Sequence, residues 1–324
     1  MKYNLTAKSR AFERVKKDFE VGKFSHAYLL IGEDQESLVD LARLMACLIN
    51  CKTHKPCLNC TICDRIQKGI FTDVVEKGLS SAVVVADIVK ITEDSIISAF
   101  EGENKVYILY NCDEMNDASS NKLLKTLEEP PKNVYFILCA KNEFALLQTI
   151  KSRTEKVYLD NYSVQDIAKE LEQMGIEHSL AQIGAGLSLG QISNAVAFVK
   201  DEQYLKIYNL VCFVFEHLNE VSSVARICSK VLDFREQFER VLDVCCSYAR
   251  DFYMYKIKAI DCIDNKTLIE KFEKLQANYS KQALLKIIQK IIDLKVKISY
   301  NVNVVELIDE FLFYFVEVKY KCKE

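Results

Sequence analysis

Proline and glycine are scarce in this 324-residue chain, at 3 and 9, and unevenly placed. The last proline is Pro131 and the last glycine Gly190, so 134 residues follow with neither. Those are the residues that break helices, and the same stretch is periodic in Leu, Ile, Val and Phe, so it is expected to be helical throughout. Charge of one sign is lacking too. The 43 Lys and Arg against 46 Asp and Glu leave a net charge of −3 with no long run of like charge. That balance excludes a strong electrostatic footprint for autonomous nucleic-acid binding. No apolar run approaches the roughly 20 residues of a membrane span, and MKYNLTAKSRAFERV at the start has no apolar signal segment. A cytoplasmic chain with no membrane partner is expected.

Hydrophobic residues make up 50% of the chain, enough for the cores of two or three domains. In a cytosolic chain the 13 cysteines stay reduced. Nine fall singly or on helical patterns, where cysteine is a small buried hydrophobe. The other four cluster as Cys51-Lys-Thr-His-Lys-Pro-Cys57-Leu-Asn-Cys60-Thr-Ile-Cys63. Two overlapping C-x-x-C steps and a fourth cysteine upstream suit a closed tetrahedral zinc site, which is structural rather than catalytic. A redox dithiol is the competing use of one C-x-x-C step. Cys51 is the least regular ligand, with His54 and Cys47 as its rivals.

The front of the chain reads as α/β. A helix over Ser9 to Lys23 precedes a buried strand, Ala27 to Ile31, closed by Gly32. Val83 to Val85 reads as a short strand and Asp87 to Ala99 as a helix. Val106 to Tyr110 is an unbroken β-forming run. A helix capped at Asn116 or Asp117 follows, with Leu123, Leu124 and Leu127 on one side, until Pro130 and Pro131 stop it. Asn133 to Ala140 is the next buried strand, which completes a βαβ unit of a parallel sheet. A helix from Asn142 and a closing strand over Lys156 to Leu159 follow. Ser163 opens a further helix that ends at Gly175, and another starts near Ser179.

Strand, glycine and helix after Ile31 is where a P-loop would lie. Phosphate binding there needs G-x-x-x-x-G-K-[ST]. The frame from Gly32 instead places Ser37, Leu38 and Val39 at the last three required positions. Glu33, Asp34 and Glu36 put negative charge at the helix start, which suits the dipole and repels a triphosphate. A strand-to-helix turn without ligand is expected, and no ATP.

NKLLKTLEEPP, ending at Pro131, resembles the NALLKTLEEPP signature of bacterial DNA polymerase III clamp-loader subunits. The resemblance implies an α/β AAA+ domain over 1–160 with a zinc module inserted at about 47–66, a three-helix lid over 161–202 and an all-α collar over 203–324. Aligned through that string, the family's Mg²⁺-holding Asp-Glu pair falls on Tyr110 and Asn111, with Asp113 and Glu114 three residues late. Ser152-Arg153-Thr154 resembles the family's Ser-Arg-Cys motif, whose arginine reaches into the neighbouring subunit's ATP site. Such a finger is worth roughly 10³–10⁵ in rate; the ordinary fate of a lone arginine is a salt bridge on its own surface. Asn194 stands where a related lid carries an arginine on its own nucleotide. These departures align the chain with the non-hydrolysing, delta-prime branch of the family. That branch implies gamma/tau ATPase subunits and the delta subunit as partners, with the sliding clamp and primed DNA met through the assembly. Two other readings remain: an active gamma/tau-type ATPase, and a zinc-dependent interaction protein on a degenerate AAA+ scaffold.

Overall fold

The computed structural model describes residues 4–53, 56–300 and 302–322 and divides into two compact units. The first comprises Met1–Tyr162 with Gln191–Ser193, and the second Ser163–Gly190 with Asn194–Glu324. No helix among the described residues is long and apolar enough to cross a membrane.

Five strands build the first unit: β1 Ala27–Ile31, β2 Val74–Lys77, β3 Lys105–Leu109, β4 Val134–Ala140 and β5 Glu155–Tyr158. All pair in parallel, in the order β2-β3-β4-β1-β5. The three central strands are apolar almost throughout because both faces are covered. Successive side chains of β1 alternate between the two covered faces: Tyr28 and Leu30 join one core, Ala27, Leu29 and Ile31 the other. The helices are α1 Asn4–Ala7, α2 Arg10–Glu20, α3 Gln35–Asn50, α4 Thr61–Gln67, α5 Val85–Ser95, α6 Asp117–Glu128 and α7 Gln148–Lys151. Helices α2, α3 and α4 supply one core, while α5, α6 and α7 supply the other. This is the expected parallel α/β sheet with flanking helices.

Two expectations need correction. Val83 to Val85 is not a strand: the edge strand is β2, and α5 already begins at Val85. Val74 to Lys77 hydrogen-bonds along β3, from Val74 opposite Val106 to Lys77 opposite Leu109. Gly78 then turns the chain at φ +86°, where a Cβ would stand 2.3 Å from the Tyr110 carbonyl oxygen. Val84 sits at the helix start, its N–H donating to the Asp87 carboxylate at 3.2 Å. Nor does Asn142 open a full helix. Its side chain caps a single 3₁₀ turn, Glu143–Ala145, before α7.

The second unit is all helical among the described residues, with α8 Val164–Gln173, α9 His178–Leu187, α10 Ile192–Lys200 from Asn194 onward (its first two residues belong to the first unit), α11 Glu202–His217, α12 Val221–Leu232, α13 Phe238–Lys256, α14 Ile269–Leu275, α15 Lys281–Ser299 and α16 Val304–Lys321. One aromatic cluster centres it. Phe215 lies 4.2 Å from Tyr248, 5.0 Å from Phe315 and 5.7 Å from Tyr279, ring centre to ring centre. Such pairs add about 0.5–1.5 kcal/mol each beyond the area they bury. Leu284, Ile287, Ile291 and Leu294 of α15 and Leu307, Phe311 and Phe315 of α16 face this core. Leu285, Ile292, Val296 and Tyr300 form a second, outward stripe on and just beyond α15, and all four are exposed.

Candidate metal centre, filled cleft and edge arginine

Four cysteine sulfurs, of Cys51, Cys57, Cys60 and Cys63, lie within 4.8 Å of one another. Local structure brings them together. Cys51 ends α3, its N–H donating to the Cys47 carbonyl at 2.8 Å. Cys60 caps α4, its sulfur accepting the Cys63 N–H at 3.4 Å. Leu58, at φ +58°, makes the tight turn between Cys57 and Cys60. Four ligands each about 2.3 Å from one tetrahedral ion would stand about 3.8 Å apart. The Cys51–Cys57 and Cys57–Cys63 separations are 3.6 and 3.9 Å. The donor set therefore fits a small thiophilic cation.

Burial raises the Cys51 thiol, but hydrogen bonds from Thr53 and Cys57 outweigh it and bring the group down to about 6. Backbone N–H groups of Asn59 and Cys60 lower Cys57. Cys63 is pushed up, by burial first and by Cys47 next. Cys47 lies outside the cluster; its sulfur accepts from Gln67 Nε2 at 3.6 Å, and burial lifts it to about 11. His54 lies outside the described residues. The knob is tied to the sheet by Arg43 of α3, which forks onto Glu76 of β2 with two 2.9 Å bonds and donates to the Gln67 carbonyl of α4 at 2.9 Å.

Beyond β1, the place of a P-loop is filled by the chain's own groups. Asp34 caps α3: its Oδ1 accepts the N–H of Glu36 at 3.2 Å and of Ser37 at 3.4 Å. Its Oδ2 accepts the Ser37 hydroxyl at 3.1 Å and the Ser193 N–H at 3.2 Å. A carboxylate thus takes the first-turn amides that would otherwise receive a phosphate. Gln191 donates to Glu33 at 3.1 Å on the same side. Leu38 is buried, and together with Gln35, Tyr110, Asn111 and Cys139 it leaves no room for a water molecule in the cleft.

Tyr110 is buried and donates to Glu76 at 3.2 Å, while Asn111, at φ +50°, donates to the Gly78 carbonyl at 2.9 Å. Both residues at the expected Asp-Glu positions are therefore engaged in packing β3 against β2. Asp113 and Glu114 sit in a 3₁₀ turn, where the Asp113 carboxylate accepts the N–H groups of Lys141 and Asn142 at 3.3 and 3.0 Å. In the second unit the Asn194 amide donates to the Ser188 carbonyl at 3.4 Å.

Arg153 follows α7 with one third of its side chain exposed. Its guanidinium ion-pairs with Glu128, from the end of α6, and donates to the Thr149 carbonyl at 3.0 Å. Ser152 Oγ lies 3.4 Å from Arg153 Nη1, and Thr154 back-bonds to the Ile150 carbonyl at 3.0 Å. So the motif lies at a surface, with its arginine held by a carboxylate of the same chain.

Sequence reasoning missed Glu76, which links the cysteine knob to the filled cleft, because the edge strand is expected at Val83 to Val85 and lies at Val74–Lys77. It also missed Asp73, a buried carboxylate that accepts the N–H groups of Phe100, Glu101 and Gly102 at 2.7 Å each and fixes the turn before β3. Asp34 was legible only as a charge. Its spacing ahead of Ser37 was the available sign that it would be a cap.

Residues 7–163 match the family described as "DNA polymerase III, delta subunit". The gamma subunit of DNA polymerase III from Buchnera aphidicola subsp. Schizaphis graminum is 36% identical over 159 residues, 48% of this chain and 44% of that protein. The tau subunit from Escherichia coli K12 is 33% identical over 172 residues, 52% of this chain and 27% of that protein. The delta' subunit from Bacillus subtilis is 25% identical over 310 residues, 93% of both. The chain thus spans less than half of those gamma and tau relatives. A crystal structure of a gamma-subunit-related protein from Thermotoga maritima is similar over 95% of this chain and 99% of that one, at 20% identity and a TM-score of 0.47.

Proposed function

We propose that the chain, whose residues 7–163 match the DNA polymerase III delta-subunit family, is a non-hydrolysing, delta-prime-type subunit of the replicative clamp loader. The observation that carries this reading is the cleft filled from within: Asp34 holds the anion-binding amides while Leu38 and Tyr110 occupy the space. The likeness to a delta' subunit along 93% of both chains supports the same branch. Higher identity to gamma and tau subunits, up to 36%, favours an active ATPase as the second reading, though it is confined to about half the chain.

In this reading residues 161–202 serve as the lid and 203–324 as the collar, which associates with gamma/tau and delta subunits in the cytoplasm. The outward stripe of Leu285, Ile292, Val296 and Tyr300 suits such an association. Arg153 acts in trans, exchanging Glu128 for the charge developing on a neighbour's γ-phosphoryl group. Cys51, Cys57, Cys60 and Cys63 hold one structural Zn²⁺, which keeps the knob folded and does no chemistry. The sliding clamp and primed DNA are met through the assembly.

Titrating labelled ATP against the purified chain, with turnover measured on the same sample, tests the reading. Neither binding nor hydrolysis is expected. Micromolar binding with turnover would replace the proposal by the active-ATPase reading.

A further inference from the structure

A cavity of about 620 Å³ opens in the helical unit between the turn after α11, the approach to α15 and the end of α16. It is lined mainly by polar groups, among them Asn219, Lys256, Gln276, Ser280 and Lys319. Lys319 is the unusual member. Only 8% of it is exposed, and its Nζ donates to the Leu218 carbonyl at 3.2 Å and to Asn219 Oδ1 at 2.7 Å. It also lies 4.1 Å from the centre of the Tyr279 ring. All three partners are neutral, and among the described residues no carboxylate pairs with it.

A buried ammonium without a counter-charge is costly, because neutral acceptors return only part of its hydration. Burial accordingly pulls the Lys319 amine down to about 8. Two further features have the same sign. Lys256 stands on the wall, its Nζ donating to the Gln276 carbonyl at 3.0 Å. Ser280 caps the N-terminus of the 19-residue α15, so the positive end of that helix dipole also borders the space. The acidic group on the wall, Glu220, is at the start of α12 and is engaged there by Ser222 at 3.2 Å. Tyr279 donates its hydroxyl elsewhere, to the Phe215 carbonyl at 2.7 Å.

We propose that this cavity is a binding site for a small oxyanion-bearing ligand, a phosphate or carboxylate compound, with Lys319 as its counter-ion and Lys256 as a second contact. The volume lies within the roughly 300–1,000 Å³ of small-molecule sites. The inference is independent of the clamp-loader reading, since it concerns neither the cleft nor the arginine.

The test uses the full chain with its lysines labelled at ¹³Cε, titrated with inorganic phosphate and separately with acetate at constant ionic strength. Saturable movement of the Lys319 resonance is expected, with its pKa raised by about one unit at saturation, a tenfold tighter hold on the proton. Lys319→Gln, which keeps donors for Asn219 and the Leu218 carbonyl, should weaken phosphate binding at least tenfold. Response to phosphate alone points to a phosphate ester, and response to both anions to any oxyanion of that size. A Lys319 resonance indifferent to both, in the unaltered chain, overturns the proposal, as does equal binding by folded Lys319→Gln.

Discussion

Replacing Asp34 by alanine isolates the group that stands in for a phosphate. The carboxylate caps α3 through Glu36 and Ser37 and accepts from the Ser37 hydroxyl and the Ser193 N–H, all while buried. Loss of an N-cap costs about 1 kcal/mol. Leaving the Ser37 hydroxyl and the Ser193 N–H without their acceptor costs about 1–3 kcal/mol more. The sum, about 2–4 kcal/mol, is a factor of about 30–1,000 in a local opening equilibrium. Amide hydrogen exchange read by mass spectrometry over the first turn of α3 measures that factor directly. Asp34→Asn keeps the cap through Oδ1 and loses the Oδ2 acceptor shared by the Ser37 hydroxyl and the Ser193 N–H, so about 1–3 kcal/mol is expected, a factor of about 5–150. Neither variant should bind ATP, because Leu38 and Tyr110 still fill the space. Unchanged protection in Asp34→Ala, or ATP binding by that variant, would refute the account of the cleft.

Elemental analysis should find one zinc per chain, and Cys60→Ser should abolish it with loss of protection over α4; a metal-free chain with an ordered knob contradicts the site. In a reconstituted assembly Arg153→Ala should lower ATP turnover by roughly 10³-fold or more with assembly intact, and unchanged turnover removes the trans-acting role. Lys319 gives a pH signature: with its folded pKa near 8 and an unfolded value near 10.5, the unfolded chain holds more protons between them, so stability rises with pH across that window. Relative to Lys319→Gln, the unaltered chain should gain about 2 kcal/mol between pH 7.5 and 9.5 in urea unfolding, and a flat difference contradicts the buried charge. Glu128→Gln should free the Arg153 guanidinium without unfolding α6, seen as raised ¹⁵Nε exchange of that arginine, and an unaltered rate would mean that the pair is not formed.

Central strands and long helices were legible because one physical signal dominated each. Ala27 to Ile31 and Val134 to Ala140 are apolar runs whose burial on both faces needs no partner information, and α15 carries a stripe at helical spacing. Val74 to Lys77 was not legible. An edge strand has one neighbour, so Glu76 and Lys77 are tolerated in it, and its pairing with β3 is a relation between distant residues that no local window contains. The apolar run Val83 to Val85 was the stronger local signal and gave the wrong position. Its Val83 is buried against the sheet from a turn, which has the same composition as a strand but not its hydrogen bonds.

The candidate sites divide along the same line. The cysteine cluster is a matter of short-range spacing, and its four members meet as their spacing required. Missing P-loop residues could also be read from the sequence, because they are absences at fixed positions. What could not be read is what replaces them. Asp34 and Ser193 are separated by 159 residues. Tyr110 is held by Glu76 from the edge strand β2, whose pairing no local window contains, and Glu76 is in turn held by Arg43. If the cleft is a degenerate nucleotide site, as proposed, it is more than the loss of its ligand-binding groups. The vacated donors and space must be satisfied from within, or the buried amides and the cavity would themselves destabilise the domain. Here one carboxylate and one tyrosine meet that requirement. On the proposed reading, nucleotide binding would demand the removal of Asp34 and Tyr110 as well as a lysine in place of Leu38, a set of changes no single substitution supplies.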